Sequence, residues 1–208
     1  MSTTLQTYLT ATQRLLHDSS NNYWSVSELT DYINEGRNDT VSKTGCNRVL
    51  QLLTVNPSQE VYTFSSFATP NTIDILNFTV IWGSSRIPLQ YMSFTEINAR
   101  LRTWTNMTSR PIAFAVYGQS SVYVEPPADQ TYSCELDTVV LPNALVNTTD
   151  VETLNYPWTD PVPYYAAHKA KFKEQSYKEA EVFLQEYKKR IISAIGASGM
   201  RRIPNVYG

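Results

Sequence analysis

The apolar positions recur at helical spacing near both ends of the chain. Within residues 160–197 one stripe at spacings of three and four consists of Tyr177, Ala180, Phe183, Leu184, Tyr187, Ile191 and Ala194. Such a stripe predicts an amphipathic helix, and strong helix formers dominate the segment. The apolar phase shifts near residues 175–176, so we expect a helical hairpin of residues 161–174 and 177–195. Gly196 is expected to end its second helix.

The first forty-five residues predict a second helical pair. Residues 3–17 place leucines and a tyrosine at helical spacing. Ser25 and Glu28 have the spacing of a capping box, which predicts a second helix from about residue 26 to 42–45. Because the intervening loop is short, we expect the two helices to form an antiparallel hairpin.

The pattern changes at Arg48 to runs of β-branched and aromatic residues. The predicted strands are residues 49–55, 60–64, 72–82, 86–92, 111–118, 120–127 and 132–145. Gly83 to Ser85 and Gly118–Gln119 are expected hairpin turns. Ser93 and Glu96 predict a short helix through about residue 102.

These elements predict an α+β protein. The two terminal helical hairpins would pack as a four-helix base, and the β-rich region would be inserted between them. The expected domains are a helical bundle of residues 1–46 and 155–197, a β-rich insertion of residues 47–154, and an extended C-terminal arm of residues 198–208.

Composition restricts the possible functions. The 208 residues are 42% hydrophobic, and a net charge of −2 gives no bulk reason to expect binding to nucleic acid or to a membrane surface. No apolar run approaches the ~18 residues of a membrane span. The N-terminal residues lack the pattern of a signal peptide, and two cysteines are too few for a disulfide framework. We therefore expect reduced thiols in a cytoplasm-like compartment.

The sequence contains no set of residues with the spacing typical of a catalytic site. His17 and His168 have no second metal ligand at helical spacing, and both are expected at the surface. Cys134 lies mid-strand, where a buried, inert thiol is expected. Motifs for a serine nucleophile or a phosphate-binding loop are absent. We therefore predict no catalytic, cofactor or metal site and no enzymatic activity.

Two groups of residues could form binding surfaces. Trp82, Trp104 and Tyr91 could line a sugar-binding face, although core or interface positions are favoured for strand aromatics. The basic residues of the C-terminal helices are interpreted as a solvated face. The tail is different, because it mixes two arginines with apolar groups and has no period, which is typical of a docking arm.

Three stretches resemble the head-to-tail adaptor proteins of tailed phages, as found in podophages. YWSVSELTDYINEGRNDTVSKTG (23–45) resembles their second helix, and DPVPYYAAHKAKFKEQSYKEAEVFLQEYKKRI (160–191) resembles their closing helical hairpin. PPADQTY (126–132), followed by a strand ending in Leu-Pro, resembles the stretch that joins the β-insertion to that hairpin. The resemblance implies a structural virion protein at the head–tail junction, assembled in the host bacterial cytoplasm.

Such adaptors form a ring, commonly a dodecamer, that joins the portal ring to the tail nozzle or tail tube. The ring lines a channel that passes double-stranded DNA without sequence specificity, and no membrane is involved. The implied portal-binding residues are Met200, Arg201, Arg202, Ile203, Pro204, Val206 and Tyr207. The implied subunit-interface residues are Tyr32, Tyr164, Tyr165 and Tyr187. The alternatives are a carbohydrate- or protein-binding module of a phage tail and, least favoured, a small hydrolase with an unrecognised site.

Overall fold

The chain is an α+β protein, as predicted. A computed structural model describes residues 3–69, 71–99 and 107–198. The described helices are α1 (Leu5–Leu16), α2 (Val26–Thr44), α3 (Phe94–Ala99), α4 (Val162–Lys173) and α5 (Tyr177–Ser198). The described strands are β1 (Arg48–Val55), β2 (Val61–Thr63), β3 (Thr72–Trp82), β4 (Ser85–Pro88), β5 (Gln90–Tyr91), β6 (Ala113–Tyr117), β7 (Ser121–Glu125) and β8 (Tyr132–Val140).

The chain divides into two compact units. Residues 1–46 and 142–208 form the first, called here the helical unit, and residues 47–141 form the second, called the β unit. The division falls after residue 141, whereas the sequence pattern placed it after 154. The reason is that residues 143–152 bond to α2: Arg37 donates to the Asn143 carbonyl and to the Glu152 carboxylate, and Asn34 donates to the Leu145 carbonyl.

Capping residues set the ends of the N-terminal helices. Ser25 Oγ accepts a hydrogen bond from the Glu28 N–H at 3.2 Å, as the capping pattern predicts, and α2 ends at Gly45 with φ 63°. Helix α1 is capped by Thr4, which exchanges hydrogen bonds with Thr7. The two helices are therefore defined by local side chains as well as by the apolar stripe.

The break between α4 and α5 lies where the apolar phase shifts. Gln175 takes φ 65°, in the left-handed region, and this reverses the chain between Lys173 and Tyr177. The expectation that Gly196 ends α5 is wrong, because α5 includes Gly196 and extends to Ser198. Its negative φ gives that glycine no role as a left-handed cap.

Within the helical unit α4 contacts α1, α2 and α5, and α2 also contacts α1 and α5, around an apolar core. This core contains Leu5 and Leu9 of α1, Leu29 of α2 and Ala166 of α4, and Phe183 of α5 packs against it. Alanines on α4 allow the helices to approach closely. Gly36 of α2 lies against Tyr165 of α4, where an added Cβ would be 3.0 Å from the Tyr165 ring.

The β unit contains two four-stranded sheets that share a core. The first sheet has the order β1-β8-β3-β4 and is antiparallel throughout, and the second has the order β2-β7-β6-β5. Phe78 of the first sheet contacts Phe114 of the second at 5.5 Å between ring centroids. The predicted hairpins β3–β4 and β6–β7 are both present, with positive φ at Gly83 and Gly118. Helix α3 packs through Ile97 on the alanines of β6.

Candidate protein-contact surface

A buried ion pair positions the helices of the helical unit. The Arg37 Nε and Nη2 atoms donate to the two carboxylate oxygens of Glu152 at 2.7 and 2.8 Å. The Tyr8 hydroxyl donates to the same carboxylate at 2.7 Å, so α1, α2 and the segment before α4 meet at one group. Burial raises the pKa of Glu152, but the hydrogen bonds from Arg37, Leu154 and Tyr8 outweigh it and hold that pKa below its ordinary value.

Two of the predicted interface tyrosines come together inside the helical unit. Tyr187 is completely buried, and its hydroxyl donates to Asp39 of α2 at 2.5 Å. Tyr165 is half-buried, donates to Glu35 at 2.8 Å and meets the Tyr187 ring edge-on at 5.3 Å. Burial, followed by the bonds to these carboxylates, raises both tyrosine pKa values. Both hydroxyls therefore serve to join the C-terminal helices to α2.

The ring contacts continue from Tyr165 to the end of α4. They pass through His168 and Phe172 to Tyr177, with 5.4 Å between the Phe172 and Tyr177 centroids. Phe172 and Tyr177 are more than half exposed. His168 is half-buried rather than at the surface, because its Nδ1–H donates to the Ala180 carbonyl at 2.8 Å. The exposed end of this row is an aromatic surface at the turn between α4 and α5.

Lysines of α4 pair with acids of α2 along one side of the helical unit. Lys169 contacts Glu35 at 2.7 Å, and Lys173 contacts Glu28. The Tyr32 hydroxyl also donates to Glu28, and burial followed by this bond raises the Tyr32 pKa to about 12. The helical basic residues were predicted to form a solvated face, and two of these lysines have acidic partners on α2.

Tyr164 lies on a groove between α1 and the start of α4. The groove has a volume of about 370 Å³, and its apolar wall includes Ala11, Leu15 and Pro163. The Arg190 guanidinium of α5 lies over the Tyr164 ring at 4.1 Å and pairs with Asp160 at 2.5 Å. Tyr164 is therefore the predicted interface residue that lines a concave surface of the helical unit.

The outward side of α5 carries aliphatic residues that the sequence stripe omits. Val182 is 63% exposed and Ile192 is 70% exposed, whereas Tyr187 and Ile191 on the inward side are buried. The sequence could have indicated this surface, because Val182 and Ile192 lie outside the apolar stripe of α5. Apolar residues outside the single buried face of a helix are candidates for contact with another protein. These residues and the groove give the helical unit two different apolar surfaces.

The proposed portal-binding residues, Met200 to Val206 and Tyr207, lie outside the described residues, as does Trp104. Of the aromatics considered for sugar binding, Trp82 belongs to the first sheet and Tyr91 to the second. Trp82 stacks on Tyr132 with 5.7 Å between centroids, and Tyr91 contacts Phe114 edge-on. The two rings are about half exposed but do not contact each other to form one platform.

The described residues show no arrangement typical of a metal site. Cys134 is buried, and burial raises its pKa to about 12, as expected of an inert thiol. Within residues 3–69, 71–99 and 107–198, no three metal-ligating side chains come together. None of the helices described is long and apolar enough to cross a membrane. We interpret the groove and the outward side of α5 as candidate surfaces for protein contact, because both expose apolar side chains.

Comparison with known proteins agrees with this interpretation. The family model described as SU10 adaptor protein matches residues 3–206, which is nearly the whole chain. No curated protein sequence matches the chain.

Proposed function

The chain belongs to the SU10 adaptor protein family, and from this membership we infer that it forms a ring joining the portal of a phage head to the tail. Membership makes the chain a structural adaptor protein of a bacteriophage virion that associates with portal and tail proteins, and it confirms the resemblance to head-to-tail adaptors. The ring, its dodecameric state, its DNA channel and its assembly in the host cytoplasm are our proposal.

The helical unit is proposed to supply the base of the ring, with its four helices side by side around the channel. A closed ring needs two different surfaces on each copy, since one patch meets a different patch on the next. The helical unit has an apolar groove lined by Tyr164 and an outward α5 surface with Val182 and Ile192. This pair of surfaces is the structural observation that supports the proposal.

The predicted interface tyrosines divide into two groups in this proposal. Tyr164 and Tyr32 retain exposed surface and would contact a neighbouring copy. Tyr165 and Tyr187 are held by carboxylates of α2, and Tyr187 has no exposed surface in the single chain. These two tyrosines would hold α4 and α5 in position, so that the exposed residues can contact the neighbouring copy.

The charges support a channel that passes DNA without binding it tightly. The chain carries 17 Lys and Arg against 19 Asp and Glu. Lys169, Lys171, Lys173 and Arg190 each have an acidic partner within the helical unit. A cation that is already paired with an acid neutralises DNA phosphates less well. Fewer counterions then leave the DNA, so the affinity for DNA stays low.

The C-terminal residues from Met200 to Tyr207 are proposed to dock on the portal. The β unit is proposed to contact the tail nozzle or tail tube. Arg201 and Arg202 within an apolar segment would pair with acids of the portal, while Ile203 and Val206 would enter apolar pockets. An extended segment that orders on binding can cover a large surface of its partner.

Truncation tests the docking arm. We expect the full chain to co-sediment with portal rings and a chain ending at residue 198 to remain in solution, with both showing the same melting temperature. Arg201→Glu/Arg202→Glu should weaken binding at least tenfold, whereas Lys178→Glu on exposed α5 should not. Unchanged portal affinity of the truncated chain would refute the assignment.

A further inference from the structure

The first sheet of the β unit ends in an open, apolar edge. Strand β1 pairs with β8 on one side, and no described strand pairs with its other side. Leu50 is 69% exposed and Leu52 is 72% exposed. Folded proteins usually protect such an edge with charges, proline or a short strand. Strand β1 has eight residues, no proline and no acid, and Arg48 is its one charge.

The backbone groups of the same residues point outward. The Val140 N–H donates to the Asn47 carbonyl at 3.0 Å, and β1 pairs with β8 from Arg48 to Val55 without a shift. Alternate residues of an antiparallel strand bond to its partner. The odd-numbered residues of β1 therefore bond to β8, and Arg48, Leu50, Leu52 and Thr54 turn their N–H and C=O groups to the open edge.

The other strand edges of the β unit are poorer acceptors. Strand β4, at the far side of the first sheet, has four residues and includes Pro88, which has no N–H to donate. The edges of the second sheet are β2, with three residues, and β5, with two. Among the described strands, β1 thus offers the longest edge for the addition of a strand.

We propose that β1 pairs antiparallel with β1 of a second copy of this chain, Leu50 lying opposite Leu52 of that copy. In this register the four outward residues of each strand meet in hydrogen-bonded pairs, and Arg48 lies opposite Thr54. The exposed leucines of both copies then cover one another, and no like charges are opposed. Arg48 keeps its own partner, since it donates to Asp137 of β8 at 3.1 Å.

The occupant is a second copy because β1 is complementary to itself. A strand that covers Leu50 and Leu52 needs apolar side chains at two positions that are two residues apart. Strand β1 has this spacing itself, so in a two-fold pair each leucine lies opposite a leucine of the second copy. This two-fold contact differs from the head-to-tail contact of a ring. The inference therefore does not rest on the proposed function and describes the protein outside the ring.

The mass of the isolated protein tests the proposal. We expect light scattering to give twice 23.6 kDa at high concentration for the wild type. Leu50→Lys/Leu52→Lys should give a monomer with unchanged circular dichroism. The matched control is Met107→Lys/Ile112→Lys, which also replaces two exposed apolar residues of the β unit and should remain dimeric. A monomeric wild type, or a dimer that the Leu50/Leu52 variant retains, overturns the proposal.

Cysteine pairs test the register in a Cys46→Ser background. Paired residues in a hydrogen-bonded site lie about 5.5 Å apart between Cα atoms, within the range for a disulfide. Mixing Leu50→Cys chains with Leu52→Cys chains should give a covalent dimer under mild oxidation, at least tenfold faster than either variant alone. Equal rates in all three samples would show random collision and would overturn the register.

Discussion

Arg37 of α2 bonds both oxygens of Glu152, and neither side chain has more than 1% of its surface exposed. The two residues are 115 positions apart in the chain. Their contact attaches the segment before α4 to the N-terminal helices, so the two halves of the helical unit form one body. Any surface that the unit presents to a neighbour depends on this attachment.

Removing one partner of this pair should destabilise the helical unit strongly. Arg37→Met would leave the Glu152 carboxylate buried without its cation, which typically costs about 3–5 kcal/mol. The exposed pair of Lys43 and Asp39 provides the control, and Lys43→Met should cost at most about 1 kcal/mol. Urea denaturation of the purified protein measures both. Similar small losses for the two variants would contradict this role of Arg37.

Acid should weaken the same contact. Because the pKa of Glu152 is held below its ordinary value, its contribution is present above pH about 4.5 and is lost as pH falls through the folded pKa. Glu152→Gln cannot ionise, so its stability deficit relative to wild type should shrink as the pH falls from 6 to 3. Denaturation curves across that range measure the stability difference between the variant and the wild type. A deficit that stays constant or grows as the pH falls would contradict a lowered pKa of Glu152.

Gly36 is required by the close approach of α2 to Tyr165. An added Cβ would lie 3.0 Å from the Tyr165 ring and 3.1 Å from its Cβ, so Gly36→Ala should destabilise by about 1–2 kcal/mol despite alanine's higher helix propensity. Gly196 is also within a helix but has no atom within 4 Å of the added Cβ. Gly196→Ala should therefore stabilise by roughly 1 kcal/mol. Thermal or urea denaturation distinguishes the opposite signs, and the same sign for both would count against the packing argument.

The outward side of α5 should matter for assembly and little for folding. Ile192→Lys adds a charge at a residue that is 70% exposed, so the stability of the single chain should change by no more than about 0.5 kcal/mol. If this side contacts the next copy, the variant should fail to assemble with portal rings. Lys188→Ala, an exposed change on the same helix, should assemble normally. Normal assembly of the Ile192 variant would exclude this surface from the ring contact.

The elements with a strong local signal were predictable. Helix α2 begins at the predicted cap, and the turn at Gln175 lies where the apolar phase shifts. Predictions failed where tertiary packing decides. The predicted strand of residues 60–64 ends at Thr63, because Phe64 is buried in the core and begins a 3-10 turn of residues Phe64–Ser66. Likewise α5 continues through Gly196 rather than ending there.

The contact surface was less predictable than the fold. The stripe on α5 correctly indicated the buried side with Tyr187 and Ile191. It could not show that Tyr187 is held by Asp39, since that bond joins residues 148 positions apart. Nor does the sequence of α2 distinguish Arg37 from an ordinary surface arginine. Both facts depend on which helices become neighbours, and local spacing carries no information about that.

If this chain adds to a portal ring, the mass of that ring must rise. Purified protein should be measured by light scattering alone and after mixing with portal rings from the same phage. We expect each portal ring to gain a fixed number of 23.6-kDa chains, as a closed ring requires, and we expect the gain to disappear without residues 199–208. Portal rings whose mass stays unchanged in the presence of excess full-length protein would contradict assembly of this chain on the portal.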